Sequence, residues 1–69
     1  MLKQRFVEIL VNNEWQIRTC AAVKAGMVFK LYDMDGTLVE TPDGTGELYA
    51  IGDAIKDGDY YNIDCIYNN

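Results

Sequence analysis

The chain has 69 residues, a net charge of −5 and no histidine, which leaves room for one compact core and excludes two domains or a large sheet. Without histidine the commonest general base and the commonest zinc ligand are missing, and no cofactor is expected. Two cysteines, Cys20 and Cys65, are too few for the disulfide lattice of a secreted mini-protein and read as buried free thiols.

Charge is unevenly divided. Residues 1–30 carry Lys3, Arg5, Arg18, Lys24 and Lys30 against Glu8 and Glu14, whereas residues 31–69 carry Lys56 alone against nine carboxylates. That balance argues against direct binding to nucleic-acid phosphates and suits an acidic face that meets a basic protein. The simpler source of so many aspartates is turn geometry. Residues 1–11 hold Lys3, Arg5 and Glu8 within an apolar stretch, so they resemble neither a signal peptide nor a membrane span, and the expected location is cytoplasmic.

The first element is a predicted β-hairpin: Phe6-Val7-Glu8-Ile9-Leu10-Val11 and Trp15-Gln16-Ile17 flank Asn12-Asn13, a pair suited to the positive-φ positions of a tight turn. A helix over residues 2–10 is the alternative, but it would be short and rich in β-branched residues. Residues 21–26 suit a single helical turn ending at Gly26. An apolar strand follows over residues 27–32, then the turn Asp33-Met34-Asp35-Gly36 and a return through residues 37–40, giving a second hairpin. Residues 41–46, Thr-Pro-Asp-Gly-Thr-Gly, read as a mobile surface loop. A strand over residues 47–51, a turn at Asp57-Gly58-Asp59 and a last strand over residues 60–67 complete the chain, with Tyr61, Ile63, Cys65 and Tyr67 on the core face. The expected fold is mainly β: one domain, a small antiparallel barrel or sandwich of five to six short strands, with at most one short helical turn. At this size a homodimer is as admissible as a monomer.

The sequence Val28-Phe29-Lys30-Leu31-Tyr32-Asp33-Met34-Asp35-Gly36-Thr37-Leu38-Val39 resembles the first signature of haloacid-dehalogenase-like phosphatases. The resemblance implies a nucleophilic Asp33, a general acid/base Asp35 and a magnesium ion, with Gly52-Asp53 and Asp57 imitating the family's acidic metal-binding signature. Physical context speaks against it. That chemistry sets its charged groups on separate strands of a parallel sheet, and each parallel crossover needs a dozen or more residues. Residues 40–52 instead offer Pro42, Gly44, Gly46 and a short strand. In a hairpin the two carboxylates are turn residues and Gly36 supplies positive φ. An EF-hand register with Gly36 at its glycine position places Leu31 and Pro42 where ligands are required, so no metal site is expected.

The order of pieces also resembles small prophage- or mobile-element-encoded proteins of Gram-positive bacteria. The matching pieces are Val-Asn-x-Glu-Trp at 11–15, Val-Lys-x-Gly-x-x-Phe-x-Leu at 23–31, Tyr-x-Ala-x-x-Asp at 49–53 and Asp-Gly-x-x-x-x-Ile at 57–63. This implies an origin and no mechanism. The functional expectation is a non-enzymatic interaction or phage accessory protein, with an anti-defence inhibitor as its specific form. Its binding residues are expected to be Trp15, Asp43, Glu47, Asp57 and Asp59, with Trp15 as the exposed aromatic and the tyrosines supplying core area. The alternative is a minimal magnesium-dependent phosphatase using Asp33 and Asp35.

Overall fold

The computed structural model describes residues 5–67; Leu2 and Lys3, and the side chain of Tyr67, lie outside the described set. Seven strands follow in order: β1 Phe6–Val11, β2 Glu14–Thr19, β3 Val28–Tyr32, β4 Glu47–Ala50, β5 Ile55–Asp57, β6 Tyr60–Asn62 and β7 Cys65–Tyr67, with one 3₁₀ turn at Cys20–Ala22. Five strands form a sheet in the order β2-β1-β3-β4-β7, and β5 and β6 form a separate hairpin. Every ladder is antiparallel. The mainly β expectation is met with one strand more than expected. The sheet does not close into a barrel, because β2 and β7 stay at its two edges.

The first hairpin forms as its sequence predicts. Asn12 and Asn13 sit at φ 51° and 67°, the paired positive values of a type I′ turn, whose twist matches that of the flanking strands. Six residue pairs from Val11↔Glu14 to Phe6↔Thr19 follow in unbroken register. The 3₁₀ turn ends at Val23, whose N–H reaches the Cys20 carbonyl at 3.2 Å. Gly26, at φ 90°, therefore does not cap a helix; it serves a second turn closed by the Met27 N–H on the Lys24 carbonyl.

The bend after β3 is a hairpin, with a three-residue loop in place of the two-residue Asp-Gly turn. The Asp33 N–H bonds the Thr37 carbonyl at 2.8 Å, the Gly36 N–H bonds the Asp33 carbonyl at 2.9 Å, and Gly36 takes the left-handed conformation at φ 88°. The return is brief. Leu38 bridges Tyr32 and the Val39 N–H reaches the Leu31 carbonyl, after which the chain leaves the ladder for residues 40–46 and rejoins it at Glu47↔Lys30. The return expected over residues 37–40 thus shrinks to a single bridge, whereas the strand expected over residues 47–51 forms as β4 after the loop. That excursion lies at the surface but is tied to itself. The Asp43 carboxylate accepts from the Thr41 hydroxyl and from the N–H and hydroxyl of Thr45, while the buried Thr41 oxygen accepts the Gly46 N–H at 3.1 Å.

The predicted last strand is also two strands. Gly58, at φ 63°, opens the two-residue loop between β5 and β6, and the chain then crosses from that hairpin to the sheet edge at Ile63 and Asp64. The Asp64 carbonyl accepts the Ile51 N–H at 2.9 Å during the crossing. Register keeps Cys65 opposite the core residue Ala50, as expected, but on an edge strand it stays exposed, as does Tyr61, and of Tyr61, Ile63 and Cys65 it is Ile63 that packs against the core.

The core is small and lies on one face of the sheet: Val7 and Ile9 from β1, Phe29 from β3, Leu48 and Ala50 from β4, with Val23 laid over them. Ala54 and Ile63 add to this cover, and the Ala54 N–H bonds the Val23 carbonyl at 2.9 Å. Among the described residues no tyrosine belongs to the buried cluster, contrary to the expectation from composition. No helix among the described residues is long and apolar enough to cross a membrane.

Candidate functional site

The second face of the sheet defines the candidate site. Strand alternation sends Phe6, Glu8 and Leu10 of β1 away from the core residues Val7 and Ile9. Registry then aligns side chains from the other strands on that face in three rows. One row contains Thr19, Phe6, Tyr32 and Leu38; the next contains Ile17, Glu8, Lys30 and Glu47. The third contains Trp15, Leu10, Val28, Tyr49 and Ile66, and it spans all five strands. This third row is entirely apolar or aromatic.

Strand β2 is the informative element. Its polar residues Glu14, Gln16 and Arg18 lie on the core side, opposite Val11, Ile9 and Val7, whereas Trp15 and Ile17 point to the other face. A strand at the edge of a one-sided sheet normally turns its apolar residues toward the core and its polar ones to water. Here that rule is inverted. Ile17 is 64 % exposed, Ile66 54 % and Tyr49 38 %, so the face is an open apolar surface and no second core.

Polar groups on this face are internally organised. The Lys30 ammonium sits 4.3 Å from the centre of the Trp15 ring, a cation–π contact that half-covers the indole. Phe6 and Tyr32 stack with centroids 4.9 Å apart and planes 3° from parallel. The Tyr32 hydroxyl donates to Glu8, and this bond, reinforced by burial and by the negative charge of Glu8, raises the phenol pKa.

The phosphatase-like carboxylates lie elsewhere and serve the bend. Asp33 pairs with Arg5 at 3.0 Å. Asp35 accepts the Thr37 N–H at 2.9 Å, and the hydrogen bonds from Thr37 hold its carboxyl below the usual aspartate range. The strand leading to them has antiparallel neighbours on both sides, so the parallel crossover that the phosphatase geometry requires is replaced by a hairpin. Among the described residues no three His, Cys, Asp or Glu side chains are grouped to hold a metal ion.

Two open cavities flank the core. The larger, about 440 Å³, lies beside β7 and is lined in part by Glu40 and Cys65; the smaller, about 210 Å³, lies between the sheet and β6 and is lined in part by Arg5 and both cysteines. Both thiols are free, but Cys20 is only half-buried and Cys65 is exposed where buried thiols were expected. Burial raises the pKa of both, with Arg5 opposing the shift at Cys20 and Asp64 adding to it at Cys65. Such thiols are poorly ionised at neutral pH and have no neighbouring imidazole to activate them.

The five predicted binding residues are dispersed. Trp15 and Glu47 share the open face, on β2 and β4. Asp43 belongs to the self-bonded excursion, where hydrogen bonds from Thr41 and then Thr45 lower its pKa. Asp57 and Asp59 sit at the tip of the β5–β6 hairpin on the opposite side, with Asp57 accepting from the Asn62 amide at 3.2 Å. Trp15 is half-buried, and among the described residues Tyr60, at 77 %, is the most exposed aromatic. Leu10, Ile17, Val28, Tyr49 and Ile66 were not anticipated as surface residues of interest. Their signal was present in β1 and β3, whose apolar residues occupy both parities, the pattern of strands buried on two sides. Comparison with protein families, curated proteins and solved structures returns no match.

Proposed function

We propose that this chain works by binding protein and not by catalysis, through the open face of its sheet. The observation that supports this most is the inverted alternation of β2, which commits Trp15 and Ile17 to a surface that the other described residues leave uncovered. Contiguous apolar surface of this kind marks interaction sites, and aromatic residues beside a fixed cation are typical of their energetic centres. A tagged chain used as bait in lysate of its own source cells is expected to retain protein. Tyr49→Lys and Ile17→Asp, both at exposed positions, are expected to abolish that retention without loss of the fold; retention unchanged in both variants would remove the reading.

A second reading concerns a basic partner. Asp43, Asp57 and Asp59 are exposed, and the carboxylates of Asp43 and Asp57 are held in place by hydrogen bonds. Carboxylates fixed in advance lose less freedom on meeting a cationic surface. This is the form an accessory protein or anti-defence inhibitor acting in the cytoplasm would take. Capture that weakens with added salt and with the triple change Asp43→Asn, Asp57→Asn, Asp59→Asn supports it; indifference to both rejects it. The catalytic alternative is tested by magnesium-dependent hydrolysis of a generic phosphate ester. Equal background rates are expected from the native chain and Asp33→Asn, and turnover lost in the variant would restore the phosphatase reading.

A further inference from the structure

We propose that the open face is where two copies of this chain meet, sheet on sheet about a two-fold axis; this rests on the protein-binding reading and names the occupant of that surface. The strand pattern is its first support. Phe6–Val11 and Val28–Tyr32 are apolar on both faces apart from Glu8 and Lys30, as in strands packed on two sides, yet the described residues cover only one. A second sheet of the same kind, at the usual spacing of about 10 Å, supplies the missing layer.

Charge and shape are self-complementary about one axis. Rotation about a line parallel to the strands and midway between β1 and β3 exchanges β1 with β3 and β2 with β4 of the other copy, and it keeps each row level with itself. Leu10 then faces Val28, Trp15 faces Tyr49, Phe6 faces Tyr32 and Glu8 faces Lys30, each pair occurring twice, while Ile17 meets Glu47 at the rim. An axis running through β3 would instead set Lys30 against Lys30, so the charge row selects the first arrangement. Asp57 and Asp59, on the hairpin over the opposite face, remain outside the dimer and accessible to a further partner.

The available area fits a modest, reversible dimer. Strand spacing and residue rise give a face about 19 Å wide and about 17 Å long. With side-chain relief this removes roughly 1,000 Å² over both copies, near the lower limit for a specific interface and in the size class of transient associations.

Sedimentation equilibrium of the full chain from about 1 to about 500 µM reads this directly, since a dimer's population follows protein concentration. The expected result is an average mass rising from the 7.8 kDa of one chain toward twice that value. Tyr49→Lys and Ile17→Asp should stay at the single-chain mass with unchanged far-ultraviolet circular dichroism, and Asp59→Lys should associate like the native chain. Lys30→Glu should weaken association at least about tenfold, and combining it with Glu8→Lys should restore it, because the pair is reciprocal across the axis. A dimer that persists in both Tyr49→Lys and Ile17→Asp overturns the proposal and assigns self-association to another surface, such as the free edge of β2. A native chain that stays at single-chain mass throughout also overturns it. If capture from lysate still depends on Tyr49 in that case, the protein-binding reading survives; if it does not, both fall.

Discussion

The two faces of the five-stranded sheet come from the same residues read at alternate positions, and they have opposite fates. On one, Val7, Ile9, Phe29, Leu48 and Ala50 are sealed by Val23, Ala54 and Ile63 from the connecting segments. On the other, an equally apolar row from Trp15 to Ile66 has no described residue laid over it, and the face is organised by a cation over the indole, a stacked ring pair and the Tyr32–Glu8 hydrogen bond. A chain of this length has enough connecting residues to cover one side of a sheet. The difference teaches that hydrophobicity along these strands is divided between holding the fold together and meeting another molecule, and that β2, polar toward the core and apolar away from it, shows the division most plainly.

The largest expected effect lies on the sealed face. Phe29→Ala removes the bulkiest fully buried side chain and should cost about 3–5 kcal/mol. Set against the usual stability of about 5–15 kcal/mol, lower for a domain this small, that loss leaves much of the protein unfolded at 25 °C in a urea titration. A smaller loss, about 1–2 kcal/mol, is expected for Thr41→Val, which deprives the Gly46 N–H of its acceptor and Asp43 of a donor at a buried position of the excursion. If the excursion were a slack loop instead of a tied one, this substitution would leave the midpoint unmoved.

Acid should reveal the same tie through charge. The folded-state pKa values of Asp35 and Asp43 lie below the ordinary aspartate value, so the stability they confer is complete above that value and is lost as pH falls through it toward the folded-state value. Melting temperature is therefore expected to fall on acidification below the ordinary aspartate range, and Asp43→Asn should flatten that decline. An unchanged acid limb would show that the carboxylate's bonds do not persist in solution. The smallest effect is expected on the open face. Ile17→Thr, measured in dilute solution where copies are separate, should shift stability by no more than about 0.5 kcal/mol. A loss approaching that of Phe29→Ala would erase the distinction between the two faces.

Much of this architecture is legible in the sequence, and the failures have particular causes. Asn12-Asn13 between two apolar runs specifies a hairpin through local turn chemistry alone, and both residues adopt the required positive φ. Asp33 to Gly36 marks a bend equally well, and recognising it as a bend separates Asp33 and Asp35 from the chemistry their spacing resembles. Long-range events leave weaker traces. Ile63 and Asp64 break the last strand only because the chain must pass from the small hairpin to the sheet edge, a demand no local pattern encodes. The loop over residues 41–46 and the strand after it were legible, but nothing in residues 40–46 announces that Glu47 will rejoin the ladder beside Lys30. For the site, Trp15 and Glu47 were legible as candidates. Asp43, Asp57 and Asp59 were named for their charge, which says nothing of where the fold carries them. The apolar row was hidden because each of its members reads, one strand at a time, as an ordinary core residue.

Trp15 provides the most direct measurement, because it is the only tryptophan and stands at one end of the uncovered row. Its fluorescence should move to shorter wavelength and become harder to quench with acrylamide as protein concentration rises, while far-ultraviolet circular dichroism stays constant. Emission and quenching that remain the same at every concentration and in lysate would mean that nothing covers this face, and the division of labour between the two sides of the sheet would be contradicted.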